Sequence, residues 1–152
     1  MDSDIAHSQL GPPSMPARLH WRSLGDGIFV SLLISGPTLL ASFILRDQRE
    51  HVWPYLLVIA AGGFALGGAI AGRHRRAKRG AIYQGAFLGF LTSSVIVLSD
   101  VIRCLVLVKG FSGWTFGLWF GVEVGSVFFA SVGALMGRSM YMRSRKRRSS
   151  AK

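Results

Sequence analysis

Four long stretches of this 152-residue chain contain almost no charged residues, and they constrain the fold more than any other feature. Each stretch approaches or exceeds the roughly 20 residues that a helix needs to cross about 30 Å of hydrocarbon. A soluble domain of this size could not bury four such helices, so the chain is predicted to lie in a lipid bilayer. The four stretches are Ile28–Leu45, Pro54–Gly72, Ala81–Ser99 and Gly113–Gly137.

The spanning segments are predicted to be α-helices. Lipid offers no water to unpaired backbone groups, and the strict alternation of a membrane β-strand is absent from these stretches. The predicted fold class is therefore all-α: a polytopic membrane protein with four transmembrane helices in a bundle. We expect a transmembrane domain over residues 24–137, with spans at about 26–45, 54–72, 81–105 and 113–137, between a flexible segment 1–23 and a basic tail 138–152.

The lysines and arginines predict the orientation of the chain. Two precede the first span, five lie in Arg73–Arg79 and seven follow Gly137, so all three of these groups fall on one side of the membrane. By the positive-inside rule that side is cytoplasmic, which places both termini inside. We expect the plasma membrane as the location. A cleaved secretory signal is the alternative for the first stretch, but this stretch is longer than a usual signal core and is followed by Arg46 and Asp47.

The net charge of +11 also bears on partners. The basic loop and the tail Arg143–Arg148 are expected to contact anionic lipid headgroups. Nucleic acid is not an expected partner, because aromatic residues for base stacking are not interleaved with these charges.

Small residues recur four apart in the predicted spans, and such pairs let helix backbones approach closely. They predict close helix packing within the bundle and a homo-oligomer or another membrane protein as partner. The end of the second span also matches the end of the fourth, Gly68–Arg73 against Gly133–Arg138, which leaves open a duplication into two hairpins of equal orientation. The packing candidates are Gly63, Gly67, Gly68, Gly72, Gly85, Gly89, Gly117, Gly121 and Gly125.

One group of charged residues is a candidate for chemistry. Glu123 lies about ten residues into the fourth span, which at about 1.5 Å per residue is close to the centre of the bilayer, where an acid is expected to be paired, protonated or hydrated. A turn near residues 110–112 would place Asp100 about 3 Å nearer the outer surface than Glu123, and Arg103 about 7 Å nearer it than Glu123. The hypothesis is an intramembrane cluster in which Arg103 bridges Asp100 and Glu123, with Ser99 and Ser126 as hydroxyl partners. The alternative is a structural ion pair near the headgroups, with a protonated Glu123 bonded separately to a hydroxyl.

No enzyme motif is present: the chain lacks HExxH, a phosphate-binding loop and a nucleophile elbow. No cofactor or metal is expected, because the four histidines and the single cysteine, Cys104, have no ligand spacing.

The segment Gly67–Arg73, followed by Arg79-Gly80 and Gln84–Gly89, resembles a family of small four-span bacterial membrane proteins. A Gly-rich second span, an Ala-Gly-Arg exit and a short basic loop recur in that family. The resemblance implies the four-span architecture and carries no activity. The expected function is a noncatalytic packing or assembly component of the membrane. The alternative is a small oligomeric transporter or channel that uses Glu123 for proton or cation coupling.

Overall fold

The computed structural model describes residues 21–45, 52–73, 75, 77–108 and 113–149, and these residues are almost entirely helical. Four of the helices are long and apolar enough to cross a membrane. The predicted fold class is therefore confirmed: the chain is an all-α, multi-pass membrane protein. The helices are α1 (Trp21–Leu45), α2 (Trp53–Gly72), α3 (Lys78–Arg103) and α4 (Gly113–Ser149), and a π-helical turn, Cys104–Val108, continues α3.

Some helix ends differ from the sequence expectation. α1 begins at Trp21, so three residues assigned to the N-terminal segment form its first turn, and residues 1–20 lie outside the described part. α4 continues to Ser149, so most of the residues assigned to the basic tail belong to this helix. Favourable helix propensity of Arg, Met and Lys explains this extension, because these side chains lose little freedom in a helix.

α2 and α4 pack in parallel at very short range. A Cβ atom added at Gly68 or Gly72 would overlap the backbone of Ala130 or Ala134 on α4. The relation is reciprocal, since a Cβ atom at Gly133 or Gly137 would overlap the backbone of Ala65 or Ala69 on α2. The two contacts are thus related by a pseudo-twofold axis along the bundle, the arrangement that two equally oriented hairpins produce.

α1 lies antiparallel against α2 along a stripe of serines. The Ser35 hydroxyl donates to the Ala60 carbonyl at 2.7 Å, and the Ser31 hydroxyl lies 3.4 Å from the Gly63 carbonyl. Gly63 and Gly67 make room for these side chains, because a Cβ atom at either position would overlap a serine hydroxyl. Polar side chains of α1 therefore bond to the backbone of α2 instead of meeting lipid.

α3 packs antiparallel against α4. Gly89 lies against Ser126, and Gly85 lies against Ala130, whose backbone also approaches Gly68. Ala130 is fully buried, so its small side chain sits where α2, α3 and α4 converge. Within the described residues α1 and α4 do not pack on each other, which leaves an opening between them.

Replacing a glycine at the α2–α4 contact is expected to destabilise the bundle. Gly133→Leu must push α2 and α4 apart and should lower the free energy of unfolding by about 1–3 kcal/mol, the usual range for overpacking. Gly62→Leu is the matched control, because Gly62 is exposed and has no atom within 4 Å of an added Cβ. Both variants are compared by SDS titration in mixed micelles followed by circular dichroism, and equal stability of the two would contradict the packing described.

Candidate functional site

The interface between α3 and α4 carries a row of polar residues that we call the polar seam. Serines of α3 face an acid of α4 in the middle of the bundle, and an aspartate of α3 faces a tryptophan of α4 towards the end away from the basic segments. The polar seam comprises Ser93, Ser94 and Asp100 of α3 with Trp119, Glu123 and Ser126 of α4.

Asp100 is buried, with 1% of its surface exposed, yet both of its carboxylate oxygens have donors. Arg103 Nε donates to Oδ1 at 2.7 Å, and Trp119 Nε1 donates to Oδ2 at 2.9 Å. The Arg103 side chain is 26% exposed, so its charge reaches the edge of the bundle. A buried carboxylate is tolerated when it has an ion-pair partner and further hydrogen bonds, and Asp100 has both. This group ties the far ends of α3 and α4 together.

Glu123 is bonded to two hydroxyls of α3. The Ser93 hydroxyl oxygen lies 2.5 Å from Oε2, and the Ser94 hydroxyl oxygen lies 3.1 Å from Oε1. Glu123 is partly buried, so its carboxyl group sits at the edge of the interface. The Ser126 hydroxyl contacts the backbone carbonyls of Glu123 at 2.8 Å and of Gly89 at 3.2 Å.

The structure brings Asp100 and Arg103 together and holds Glu123 apart from them. Glu123 is level with Ser93, seven residues before Asp100, which corresponds to about 10 Å along α3 instead of the 3 Å expected. Among the described residues, no ion pair or hydrogen bond joins Arg103 to Glu123. Arg103 therefore does not bridge Asp100 and Glu123 in the described part of the chain. Asp100 and Arg103 form an ion pair, and Glu123 is bonded separately to hydroxyls.

The hydroxyl partners of Glu123 also differ from the two that the sequence suggested. The Ser99 hydroxyl donates to the Val95 carbonyl of its own helix and is exposed. Ser126 contacts the Glu123 backbone instead of its carboxyl group. The hydroxyls that contact the Glu123 carboxyl group are those of Ser93 and Ser94. The sequence signal that could have identified Ser93 is its spacing from Gly85 and Gly89, because small residues four apart line the face that meets α4.

The glycines proposed for packing divide into two groups. Six lie where an added Cβ would overlap a neighbouring helix: Gly63, Gly67, Gly68, Gly72, Gly85 and Gly89. Around Gly117, Gly121 and Gly125 of α4 there is no atom of the described chain within 4 Å of an added Cβ. The second group therefore forms a row of small residues with no helix of this chain against it.

These three glycines line an apolar groove of about 320 Å³. Its other walls come from α1 and α2, and of the described residues that line it Ser126 alone carries a hydroxyl. The groove lies in the opening between α1 and α4, in the half of the bundle away from the basic segments. The remaining lining residues are Leu39, Leu57, Ala60, Ala61, Phe64, Leu118, Val122 and Phe129.

A second polar group lies at the basic end of the bundle, and the sequence did not point to it. Gln84 of α3 is buried and donates to the Ser23 hydroxyl of α1 at 3.1 Å. Arg75, between α2 and α3, donates from Nε to the Gln84 carbonyl oxygen. Partial burial lowers the pKa of the Arg75 guanidinium from its ordinary value. This group fastens the basic loop to α1 and α3.

Metal-ligating side chains are not gathered in the part of the chain that the structure describes, where no three His, Cys, Asp or Glu residues lie close enough to hold an ion. Comparisons of the chain with protein-family models, with curated proteins and with solved structures find no match.

The hydrogen bond between Trp119 and Asp100 is expected to couple α3 and α4. A double-mutant cycle with Trp119→Phe and Asp100→Ala should give a coupling energy of about 1 kcal/mol, the upper part of the range for interhelical hydrogen bonds in membranes. The measurement is the free energy of unfolding in mixed micelles for the wild type, both single variants and the double variant. Strictly additive effects would show that the two side chains do not interact.

Proposed function

We propose that this chain is a noncatalytic assembly component of the plasma membrane and that it associates with another transmembrane helix through the open glycine row of α4. The observation that carries the proposal is the contrast between the two glycine groups. Six packing glycines already have a neighbour inside the chain, while Gly117, Gly121 and Gly125 face an apolar groove.

Physical chemistry favours a helix as the occupant of this groove. In lipid, apolar surface alone does not drive helices together, and association depends on close van der Waals contact between backbones. A row of glycines four apart permits that contact at the lowest steric cost, and a groove with two flanking helices adds further contact area.

The leading occupant is α4 of a second copy. A glycine row can pack against itself around a twofold axis, because each glycine then meets the same surface of its partner. A helix of a different membrane protein is the other candidate, and the two differ in which polypeptide co-purifies with the chain.

The proposed orientation places the basic loop and both termini in the cytoplasm. Fourteen of the eighteen Lys and Arg residues support it, because they lie in the three segments that share one side. The exposed residues Arg73, Lys78 and Arg79, together with Arg143 and Arg145 on the extension of α4, are proposed to contact anionic lipid headgroups.

Filling the groove is expected to prevent self-association. Gly121→Leu adds a large side chain where the open space lies, so the fold is retained while the affinity between copies falls at least about tenfold, or 1.4 kcal/mol. The measurement is energy transfer between donor-labelled and acceptor-labelled copies in liposomes at increasing lipid dilution. Gly62→Leu, the matched control, has equal free space outside the groove and should associate like the wild type.

Two outcomes would contradict parts of this proposal. If Gly121→Leu associates as strongly as the wild type, the glycine row is not the interface. The other outcome is that the wild type does not self-associate, while a different membrane protein co-purifies with it in fixed stoichiometry and is lost with Gly121→Leu. That result would support the assembly role and contradict a second copy as the occupant of the groove.

The orientation has its own test. A reporter fused after Lys152 that is active only in the cytoplasm should be active, and one active only outside should not, because the basic segments resist translocation. The paired control is a fusion in the connector after Leu45, where the two reporters should give the opposite result. An active external reporter after Lys152 would reverse the proposed topology.

A further inference from the structure

Glu123 and its serine partners have too few protons if the acid is ionised. The Ser93 hydroxyl has one proton, yet its oxygen lies within hydrogen-bond distance of three acceptors. These are the Gly89 carbonyl at 2.8 Å, the Phe90 carbonyl at 3.1 Å and Glu123 Oε2 at 2.5 Å. An ionised carboxylate would compete with the two carbonyls for that single proton.

A proton on Glu123 resolves this competition. The acid then donates from Oε2 to the Ser93 oxygen, and Ser93 donates its own proton to the Gly89 carbonyl. Ser94 donates to Oε1, the acceptor oxygen of the protonated acid. Every donor of the group then has an acceptor within hydrogen-bond distance, and no charge is left in the middle of the bundle.

Among the residues that the structure describes, no cation lies close enough to Glu123 to neutralise it. α2, which packs on α4, has no Asp, Glu, Lys or Arg between Trp53 and Gly72, and Tyr55 near its start is its one titratable side chain. On α3 the nearest charged groups are Asp100 and Arg103, which lie about 10 Å and about 15 Å along the helix from Ser93 and are bonded to each other. On α4, Glu123 is the one charged residue between Gly113 and Gly137.

We propose that Glu123, Ser93 and Ser94 form a proton-binding site in the middle of the membrane. The carboxyl group lies at the open side of the α3–α4 interface, because Glu123 is partly exposed while its two serine partners face it from α3. Exchange of its proton with water is part of the proposal. This site is separate from the glycine groove and does not depend on the assembly role. It supplies the chemistry that a proton-coupled membrane protein requires.

A hydrophobic carbodiimide tests the protonation of a carboxyl group directly. The acid proton passes to one carbodiimide nitrogen as a carboxyl oxygen bonds to the central carbon. The acyl group then migrates to the other nitrogen and forms a stable N-acylurea. No group leaves, so the modified residue gains the mass of one whole reagent molecule. An ionised carboxylate, such as that of Asp100 paired with Arg103, has no proton to transfer and therefore does not start this reaction.

The full-length protein in liposomes is treated with dicyclohexylcarbodiimide over a pH series, and labelled peptides are quantified by mass spectrometry. We expect labelling of Glu123 at neutral pH that falls as the pH rises, and no labelling of Asp100 in the same sample. Glu123→Gln should remove the adduct. Absence of labelling at Glu123 in mildly acidic buffer, or equal labelling of Asp100, would overturn the proposal.

The serine variants separate the two possible directions of the Ser93 hydrogen bond. If Ser93 accepts from the acid, Ser93→Ala removes a partner of the protonated form, and the pH midpoint of labelling moves down by about half to one unit. Ser94 donates to the carboxyl group and favours the ionised form, so Ser94→Ala moves the midpoint up. An upward shift with Ser93→Ala would show that Ser93 donates to an ionised Glu123 and would overturn the proposal.

A sodium series at constant ionic strength, balanced with choline, distinguishes a proton from a small cation. We expect no effect of sodium on the labelling of Glu123. Protection by sodium would overturn the assignment to a proton, because it would show that the three oxygen-bearing side chains bind a metal cation in its place.

Discussion

The close approach of α2 and α4 is the contact on which the rest of the bundle depends. Glycines of each helix lie on the backbone of alanines in the other, and no side chain larger than a methyl group separates them. In lipid the hydrophobic effect does not hold helices together, so the pair is stabilised by dispersion and by weak Cα–H···O contacts. Both kinds of contact require the two backbones to lie close together. α1 then packs on α2 and α3 on α4, so each outer helix is positioned by one member of the central pair.

The two hairpins share this architecture but differ in chemistry. Between α1 and α2, serine hydroxyls bond to backbone carbonyls, and no acid takes part in the hydrogen bonds of the described residues there. Between α3 and α4, the same kind of close contact contains two carboxyl groups, Asp100 and Glu123, at different depths. Asp100 has a cation and an indole as partners, whereas Glu123 has two hydroxyls. One interface is thus suited to an ionised acid near its end and to a neutral acid in its middle.

The sequence was sufficient for the number of spans, because runs without charge correspond directly to bilayer thickness. The sequence was not sufficient to predict which helix each packing residue contacts. A glycine pair indicates close contact but not with which helix, so Gly117, Gly121 and Gly125 looked the same as Gly68 and Gly72. Nor could the depth of Glu123 relative to Asp100 be read from the chain, because the offset of α3 against α4 depends on the turn after Arg103 and on side-chain packing. The bond from Gln84 to Ser23 joins residues far apart in sequence and has no local pattern.

The glycine groove and the acid of α4 are connected through Ser126. Ser126 lines the groove, and its hydroxyl contacts the carbonyls of Gly89 and Glu123. The Gly89 carbonyl is also within hydrogen-bond distance of Ser93, the closest partner of the Glu123 carboxyl group. A helix seated in the groove would therefore pack against a residue that shares an acceptor with the proton-binding group. Because Ser93 and Ser126 each have one proton, a change in the Ser126 rotamer would alter the acceptors left to Ser93. Assembly and proton affinity, proposed on separate observations, thus meet at one backbone carbonyl.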